Sequence, residues 1–285
     1  MRRATLVVGT CAAVFLLLGV RAFWLEPASL RVVQHRVVIP TWPKACSHLR
    51  VAVLSDLHIG SPFNGLNHLK NIVELTNAAA PDLVLLPGDF VIQGVFGGKF
   101  VPPESTAHEL ANLRAPMGVY AVLGNHDWWL GAQRVQAAFE SNLIPVLEDR
   151  SIVFTHAGCA INLVGISDFT EGPHNVSKAL SSLSAALPTL VFTHNPDIFP
   201  ALPPNVTLTI AGHTHGGQVD FPVAGRPVVP SRYGERYAIG HIEEAGRHMF
   251  VSSGIGTSIL PVRFRVPPEI SLLQITGGKI VQEPA

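Results

Sequence analysis

Apolar residues along most of this chain fall into short runs of strand length, separated by stretches with helical spacing. Residues 50–55 form the first run, rich in Val and Leu. Between 66 and 80 the positions Leu66, Leu69, Ile72, Val73 and Leu75, with Thr76, recur at the spacing of one helix face. Residues 82–86 predict a second buried strand, 104–113 a helix, 119–123 a third strand and 132–141 another helix. Strand, helix and strand in this succession predict βαβ units with parallel neighbours. The second half changes character. Residues 152–155 and 160–166 predict a hairpin across Ala157-Gly158-Cys159. Residues 176–186 have helical spacing, and strands are expected at 190–193, 207–211, 249–252 and 270–275. Glycines and prolines throughout 216–240 predict loop.

The N-terminus breaks this pattern. Arg2 and Arg3 precede residues 4–20, which carry no charge, and Arg21 and Trp24 follow. The run is apolar all round, unlike a one-faced core helix of a soluble domain. Its length is short for a bilayer span and long for a signal-peptide core. Val20-Arg21-Ala22 is a poor cleavage site, so an uncleaved anchor is expected in preference to a removed signal. Arg21, Arg31 and Arg36 behind the segment balance Arg2 and Arg3 in front, so flanking charge does not orient it. The paired arginines also resemble a twin-arginine export signal. The expected organisation is therefore a membrane anchor or signal at 1–25, a linker with an edge strand near 30–38 over 26–48, a catalytic domain over 49–276 and a tail at 277–285. The catalytic domain is expected on the exported side, with the cytoplasmic face as the alternative.

Composition narrows the function classes. Hydrophobic residues make up 47% and charged residues 14%, enough apolar content for a large core. Twenty basic residues balance 20 acidic ones, so no field draws in nucleic acid. Cys11, Cys46 and Cys159 form no C-x-x-C pair, which excludes a zinc ribbon. Cys46 and Cys159 could join in an exported domain, but nothing in the sequence fixes their distance, and unpaired thiols are expected.

The 13 histidines matter because of where five of them fall. The first predicted strand runs into Ser55-Asp56-Leu57-His58, the second into Gly88-Asp89, and the third into Gly124-Asn125-His126-Asp127. The strand at 190–193 runs into His194-Asn195, and that at 207–211 into Gly212-His213-Thr214-His215. In an open α/β sheet the carboxyl ends of the strands are where ligands bind. Unpaired polar groups buried there would each cost roughly 2–7 kcal/mol, a penalty that a shared metal site removes. Oxygen and imidazole donors without thiolate suit Mn, Fe, Zn or Ni. Two divalent ions against the carboxylates of Asp56 and Asp89 and one bridging hydroxide leave a net charge of about +1, which favours a phosphate ester over a neutral one.

Asp56-x-His58, Gly88-Asp89, Gly124-Asn125-His126-Asp127, His194 and Gly212-His213-x-His215, in this order, resemble the full signature of the calcineurin-like metallophosphoesterases. Gly216-Gly217-Gln218, Ser253-Gly254-Ile255-Gly256, Pro261-x-Arg263 and Pro268-Glu269-Ile270 are similar to a bacterial subgroup with an N-terminal membrane segment. The resemblance implies a four-layer α/β/β/α sandwich of two mixed sheets, here preceded by one hydrophobic helix. It implies two divalent metal ions, one on Asp56, His58, Asp89 and His215, the other on Asp89, Asn125, His194 and His213, with Asp89 bridging. It also implies that His126 faces the scissile phosphate and helps the leaving oxygen, and that Asn125 and His126 contact substrate. Asp127 is expected to orient His126, and Arg263 is either a contact to a phosphate oxygen or a surface arginine before the last strand.

The function implied is hydrolysis of a phosphoester or pyrophosphate. The anchor directs attention to a lipid-linked substrate and to membrane lipid as a partner. One specific form is cleavage of a lipid-linked nucleotide sugar such as UDP-2,3-diacylglucosamine. A non-catalytic scaffold is the rival of another class, and the presence of all seven ligands and His126 argues against it. A nuclease is disfavoured by the balanced charge. Residues 91–103, with Gly94, Gly97 and Gly98, are either a lid or an ordinary connection.

Overall fold

The computed structural model describes residues 2–278. The chain opens with α1 (Arg2–Val20), continued by a wider helical turn at Arg21–Leu25. Then follow β1 (Arg31–Val38), β2 (Leu49–Val53), α2 (Leu66–Ala78), β3 (Leu83–Leu86), α3 (Pro103–Leu110), β4 (Val119–Ala121) and α4 (Asn125–Ser141). The second half holds β5 (Arg150–His156), β6 (Cys159–Ile166), α5 (Val176–Ala179), β7 (Thr189–Thr193), β8 (Leu208–Ala211), β9 (Gly240–Glu244), β10 (Arg247–Val251) and β11 (Glu269–Thr276). The expected tail at 277–285 lies beyond the described residues from position 279 onward.

Two mixed sheets result, ordered β1-β11-β2-β3-β4 and β5-β6-β7-β8-β10-β9. Within them β2, β3 and β4 run parallel, as do β6, β7, β8 and β10, while β11 lies antiparallel to β2. The strands are apolar on both faces because both faces are covered. On β2 and β3, Val51, Val53, Leu83 and Leu85 face Leu163, Leu190, Phe192 and Ile210 of the other sheet. The alternate residues Ala52, Val84 and Leu86 meet Leu69, Ile72, Val135 and Phe139 of the helices. On the far side Val164, Val191 and Met249 pack under Ile198, Phe199 and Tyr237. Four layers, α/β/β/α, follow from that double alternation.

Several expectations change. Residues 26–48 keep the expected edge strand, β1, paired in parallel along the length of β11, but they do more than link, since Val37, Ile39 and Trp42 enter the core between the sheets. Helix over 176–186 stops at Ala179. Asn162 on β6 captures Ser184 instead, accepting from its N–H at 3.1 Å and donating to its carbonyl at 2.9 Å. The strand β9, in antiparallel pairing with β10, was not expected. The thiols of Cys46 and Cys159 are joined in a disulfide, not free. A short helical turn at Lys44–Cys46, held by Trp42 Nε1 donating to the Cys46 carbonyl at 2.8 Å, packs on the start of β6 and brings the two Cα atoms to 4.6 Å. The two residues lie 113 apart in sequence, so only the sheet packing could reveal the pair.

Candidate active site

The five strand ends meet at one edge of the sandwich. Asp56, His58, Asp89, His213 and His215 all have positive φ, from 40° to 71°. Such backbone costs of order 1–3 kcal/mol per residue and persists where surrounding structure holds it. Here Asp56 N–H donates to Gly88 O (3.1 Å), His58 N–H to Asp89 O (2.9 Å) and Gly212 N–H to His194 O (2.9 Å). The turns are cross-tied between strands, and each tie aims a side chain inward.

The side chains converge on one another. His58 Nε2 lies 3.1 Å from His215 Nε2 and 3.4 Å from Asp89 Oδ2. His194 Nε2 lies 3.3 Å from the same Asp89 oxygen, 3.1 Å from Asn125 Oδ1 and 3.1 Å from His213 Nδ1. His215 Nε2 stands 3.5 Å from Asp56 Oδ1. Two donors each about 2.1 Å from one ion stand roughly 3.0–3.4 Å apart, so these spacings match the edges of coordination polyhedra. Three groups could each hold an ion, with ligand atoms within 4.8 Å of one another: Asp56, His58 and His215; Asp56, Asp89 and His194; and His58, Asp89 and His126. Asp89 belongs to two of them.

Outer contacts set the imidazole tautomers. His58 Nδ1 meets Val91 O at 3.1 Å and His194 Nδ1 meets Pro87 O at 2.8 Å, leaving Nε2 of each as the donor to a metal. Burial pushes His58 down to about 3 and His213 down to about 4, which supplies them neutral, the form that binds metal. Burial lifts Asp56 to about 6. Burial opposes protonation of His194 as well, but the Asp89 carboxylate outweighs it and raises His194 to about 10.

Two expected roles are corrected. Asp127 does not orient His126. Its carboxylate accepts from four backbone N–H groups: Asp89 (2.8 Å), Gly124 (2.9 Å), Phe90 (3.0 Å) and Val91 (3.4 Å). It caps α4 and braces the Asp89 turn, while His126 Nδ1 is buried without a partner. Arg263 is neither a surface residue nor part of the cleft lining. It is fully buried, donating to the carbonyls of Ser253 (2.9 Å), Val266 (3.1 Å), Gly254 (3.2 Å) and Gly256 (2.5 Å), with Nη2 3.5 Å from His215 Nδ1. A guanidinium needs several acceptors once desolvated, and the glycine-rich turn provides them.

His126, Asn125, His213 and His215 line a cleft of about 320 Å³, with Gln93, Trp129, Gln218, Val228 and Ile259 on its walls. A larger open cavity of about 840 Å³ lies elsewhere, around Asn77, Arg114 and Leu143, and lacks such a cluster. The sequence motifs contain Ser55 and Gln218 but assign no role to Ser55, whose hydroxyl donates to Asp56, or to Gln218 and Trp129 as cleft walls. Ser55 precedes the Asp56 motif directly and was within reach; the walls depend on loop packing. Gln93 is the one residue of the 91–103 segment on the cleft.

The glycines of the motifs make room for the ligands. A Cβ on Gly212 would stand 1.7 Å from Ser55 Oγ and 2.5 Å from Asp56 Oδ2. Gly212→Ala is therefore expected to displace Asp56 and His213 and to strip metal, read by elemental analysis, even where circular dichroism shows the fold retained.

Glu148 accepts from Leu123 N–H at 2.8 Å, its other oxygen buried without a partner. Burial, then the charges of Asp149, Asp127 and Asp168, raises its carboxyl from 4.5 to about 8 against the pull of the Leu123 bond. A raised folded-state pKa means stability that is full below about 4.5 and lost as pH rises through about 8. Glu148→Gln removes that loss, so the difference in melting temperature, variant minus native, is expected to grow more positive from pH 5 to pH 8. A difference independent of pH would show that Glu148 is ionised in the fold.

Residues 49–217 match the calcineurin-like phosphoesterase family, and the chain belongs to it. It is a metallophosphoesterase, a class dependent on metal. Among its relatives, an uncharacterised metallophosphoesterase of Bacillus subtilis, YkuE, is 28% identical over 89% of this chain and 88% of its own length. Phosphodiesterase YaeI of Escherichia coli is 28% identical over 88% and 90%. The UDP-2,3-diacylglucosamine pyrophosphatase LpxG of Chlamydia trachomatis is 27% identical over 93% and 95%. Among solved structures, the NAD nucleotidase of Haemophilus influenzae superposes with a TM-score of 0.45 at 16% identity, covering 71% of this chain and 44% of that one.

Proposed function

We propose that this protein is a membrane-anchored hydrolase that uses two divalent ions to cleave phosphoester or pyrophosphate bonds carried on a lipid. The observation that carries this reading is the pair of donor groups sharing Asp89 beside an open cleft, at the end of the domain where α1 leaves it. Arg263 N–H donates to Ala22 O at 2.9 Å, so the anchor ends against the residue that braces His215.

Asp56, His58, Asp89 and His215 would hold one ion, and Asp89, Asn125, His194 and His213 the other. Bound there, two divalent ions supply Lewis-acid polarisation of the phosphoryl oxygens and a nucleophilic water at neutral pH. The protein's own groups do the rest. Asp127 and the cross-tied turns hold the ligands in place. Asn125 and His126, on the first turn of α4, face the incoming phosphate. His126 is assigned to proton delivery to the leaving oxygen and not to metal, because no outer contact fixes its tautomer, unlike His58 and His194. Apolar Trp129, Val228 and Ile259 accommodate the lipid side of the ester.

Sidedness supports a choice between two substrates. The disulfide favours the oxidising, exported side. There the substrate would be a phospholipid-type ester. The second reading, hydrolysis of a lipid-linked nucleotide sugar on the cytoplasmic side, is favoured by the end-to-end match with LpxG.

The deciding measurement pairs an activity panel with a topology reporter. Purified metal-loaded protein is expected to cleave a lipid-borne diester faster than a soluble monoester. A C-terminal alkaline phosphatase fusion is expected to be active and a fluorescent-protein fusion dark. The reverse reporter pattern with turnover of UDP-2,3-diacylglucosamine would establish the second reading. No turnover of any ester after metal loading would overturn both.

A further inference from the structure

Apart from α1 itself, four exposed apolar residues near the cleft sit on three loop tips. Val223 is 100% exposed, Phe96 73%, Ile259 71% and Leu260 47%. Single exposed apolar residues are ordinary on soluble proteins. These are tied into one face, and that face is continuous with the end of the anchor.

The ties are specific. Phe96 N–H donates to Ile259 O at 2.9 Å, joining two of the loops. Gln218 and Ser258 exchange hydrogen bonds of 3.0 and 2.9 Å, joining the second loop to the strand-like stretch at Val219, which bridges to Phe264. Phe221 and Gly225 close the small hairpin whose tip is Val223, and the Phe221 ring lies 6.0 Å from that of Phe264. The anchor's last turn meets the same ground. Ala22 O accepts from Arg263 N–H, the Arg21 guanidinium sits 5.5 Å from the Phe264 ring, and Trp24 lies edge-on to Phe63 at 5.4 Å. Phe23, Trp24 and Leu25 are themselves exposed. Arg21 over the Phe264 ring, Arg265 next to Phe264 in the chain and Lys99 three residues after Phe96 are cations of this region, and Arg226 of the Val223 hairpin pairs with Asp220 at 3.2 Å. Ile259 also forms a wall of the cleft.

Resting on the reading of α1 as a membrane anchor, we propose that this ridge of loop tips sits in the interfacial layer of a phospholipid bilayer, so that the catalytic cleft opens onto the membrane surface. Exposed apolar side chains rimmed by cations are what an anionic interface binds, and a helix ending beside them brings them to that depth. A lipid-borne phosphoester then reaches the donors without its acyl chains leaving the bilayer.

The test uses the full chain in vesicles of phosphatidylcholine and phosphatidylglycerol with brominated acyl chains. The disulfide leaves Cys11 in α1 as the single free thiol among the described residues, and a fluorophore there reports the anchor. In a Cys11→Ala background, labels at Val223→Cys and Leu260→Cys report the ridge. Leu143→Cys, 90% exposed at the far end of α4, is the control. Quenching at Cys11, 223 and 260 but not 143 is the expected result. Quenching at Cys11 alone overturns the docked ridge and leaves the anchor standing. An unquenched Cys11 label overturns both. Excimer or self-quenching signals at 223 in place of lipid quenching would assign the face to a second copy and overturn the proposal. A second arm reads catalysis. Val223→Asp with Leu260→Asp is expected to lose roughly tenfold or more in kcat/KM on a vesicle-borne phosphoester and to keep turnover of soluble bis-nitrophenyl phosphate. Equal loss on both would reject the interfacial role. Quenched labels without cleavage of any lipid ester would sink the substrate reading and keep the docking.

Discussion

Asp89→Ala is expected to leave a folded protein that retains neither metal ion. One oxygen of Asp89 stands 3.4 Å from His58 Nε2 and 3.3 Å from His194 Nε2, between the two groups of donors. Among the described residues no other carboxylate approaches histidines of both groups so closely. Its second oxygen accepts from His126 N–H at 2.9 Å, so the alanine also frees the first turn of α4. Asp89→Asn separates the two effects, keeping the size and an acceptor while removing the charge. Elemental analysis of both variants should give a metal content near zero for the alanine and a reduced one for the asparagine. Turnover of the alanine variant should fall to that of the uncatalysed control. A full metal complement in Asp89→Ala would show that the two groups bind ions without a shared ligand.

His126→Ala should do the opposite, keeping its metals while losing roughly 10²–10⁴-fold in turnover, the range for a positioned acid–base group. The ring stands edge-on to His58 at 4.7 Å and beside Trp129 at 4.8 Å, on the cleft wall, with Nδ1 buried and unpartnered. Burial lowers its pKa, so the proton-donor role rests on the anionic phosphate bound beside the ring, whose charge favours the imidazolium. The loss should shrink for nitrophenolate, which leaves without a proton. An equal loss for good and poor leaving groups would make His126 a phosphate-binding residue. Loss of metal in the alanine variant would instead put it in the coordination shell beside His58 and Asp89, the third grouping the geometry permits.

Much of this was legible before folding, for a physical reason. A parallel strand covered on both faces tends to a continuous apolar run, and residues 83–86 read that way without any neighbour. A polar residue at the end of such a run is conspicuous, so Asp56, Asp89, His194 and His213 declared themselves by position. The uncharged run at 4–20 did likewise: an all-round apolar segment has no face to turn towards water, and α1 with the turn that follows it is apolar and unburied over Thr5–Leu25.

The remainder rested on distances between residues remote in the chain. Asp127 follows His126 directly, yet three of the four backbone amides that take its oxygens lie 36 to 38 residues away, because the turn at Asp89 folds over the start of α4. Arg263 sits in a motif-like segment that suggested a phosphate, and the surrounding carbonyls of Ser253, Gly254, Gly256 and Val266 enclose it. Cys46 and Cys159 meet only because one sheet stacks on the other. Local pattern encodes which side chains lie at a strand end and on which face. Which partners they find there is decided by how the turns and sheets pack, since hydrogen bonds and disulfides act over a few ångströms and the chain brings those atoms together only in three dimensions.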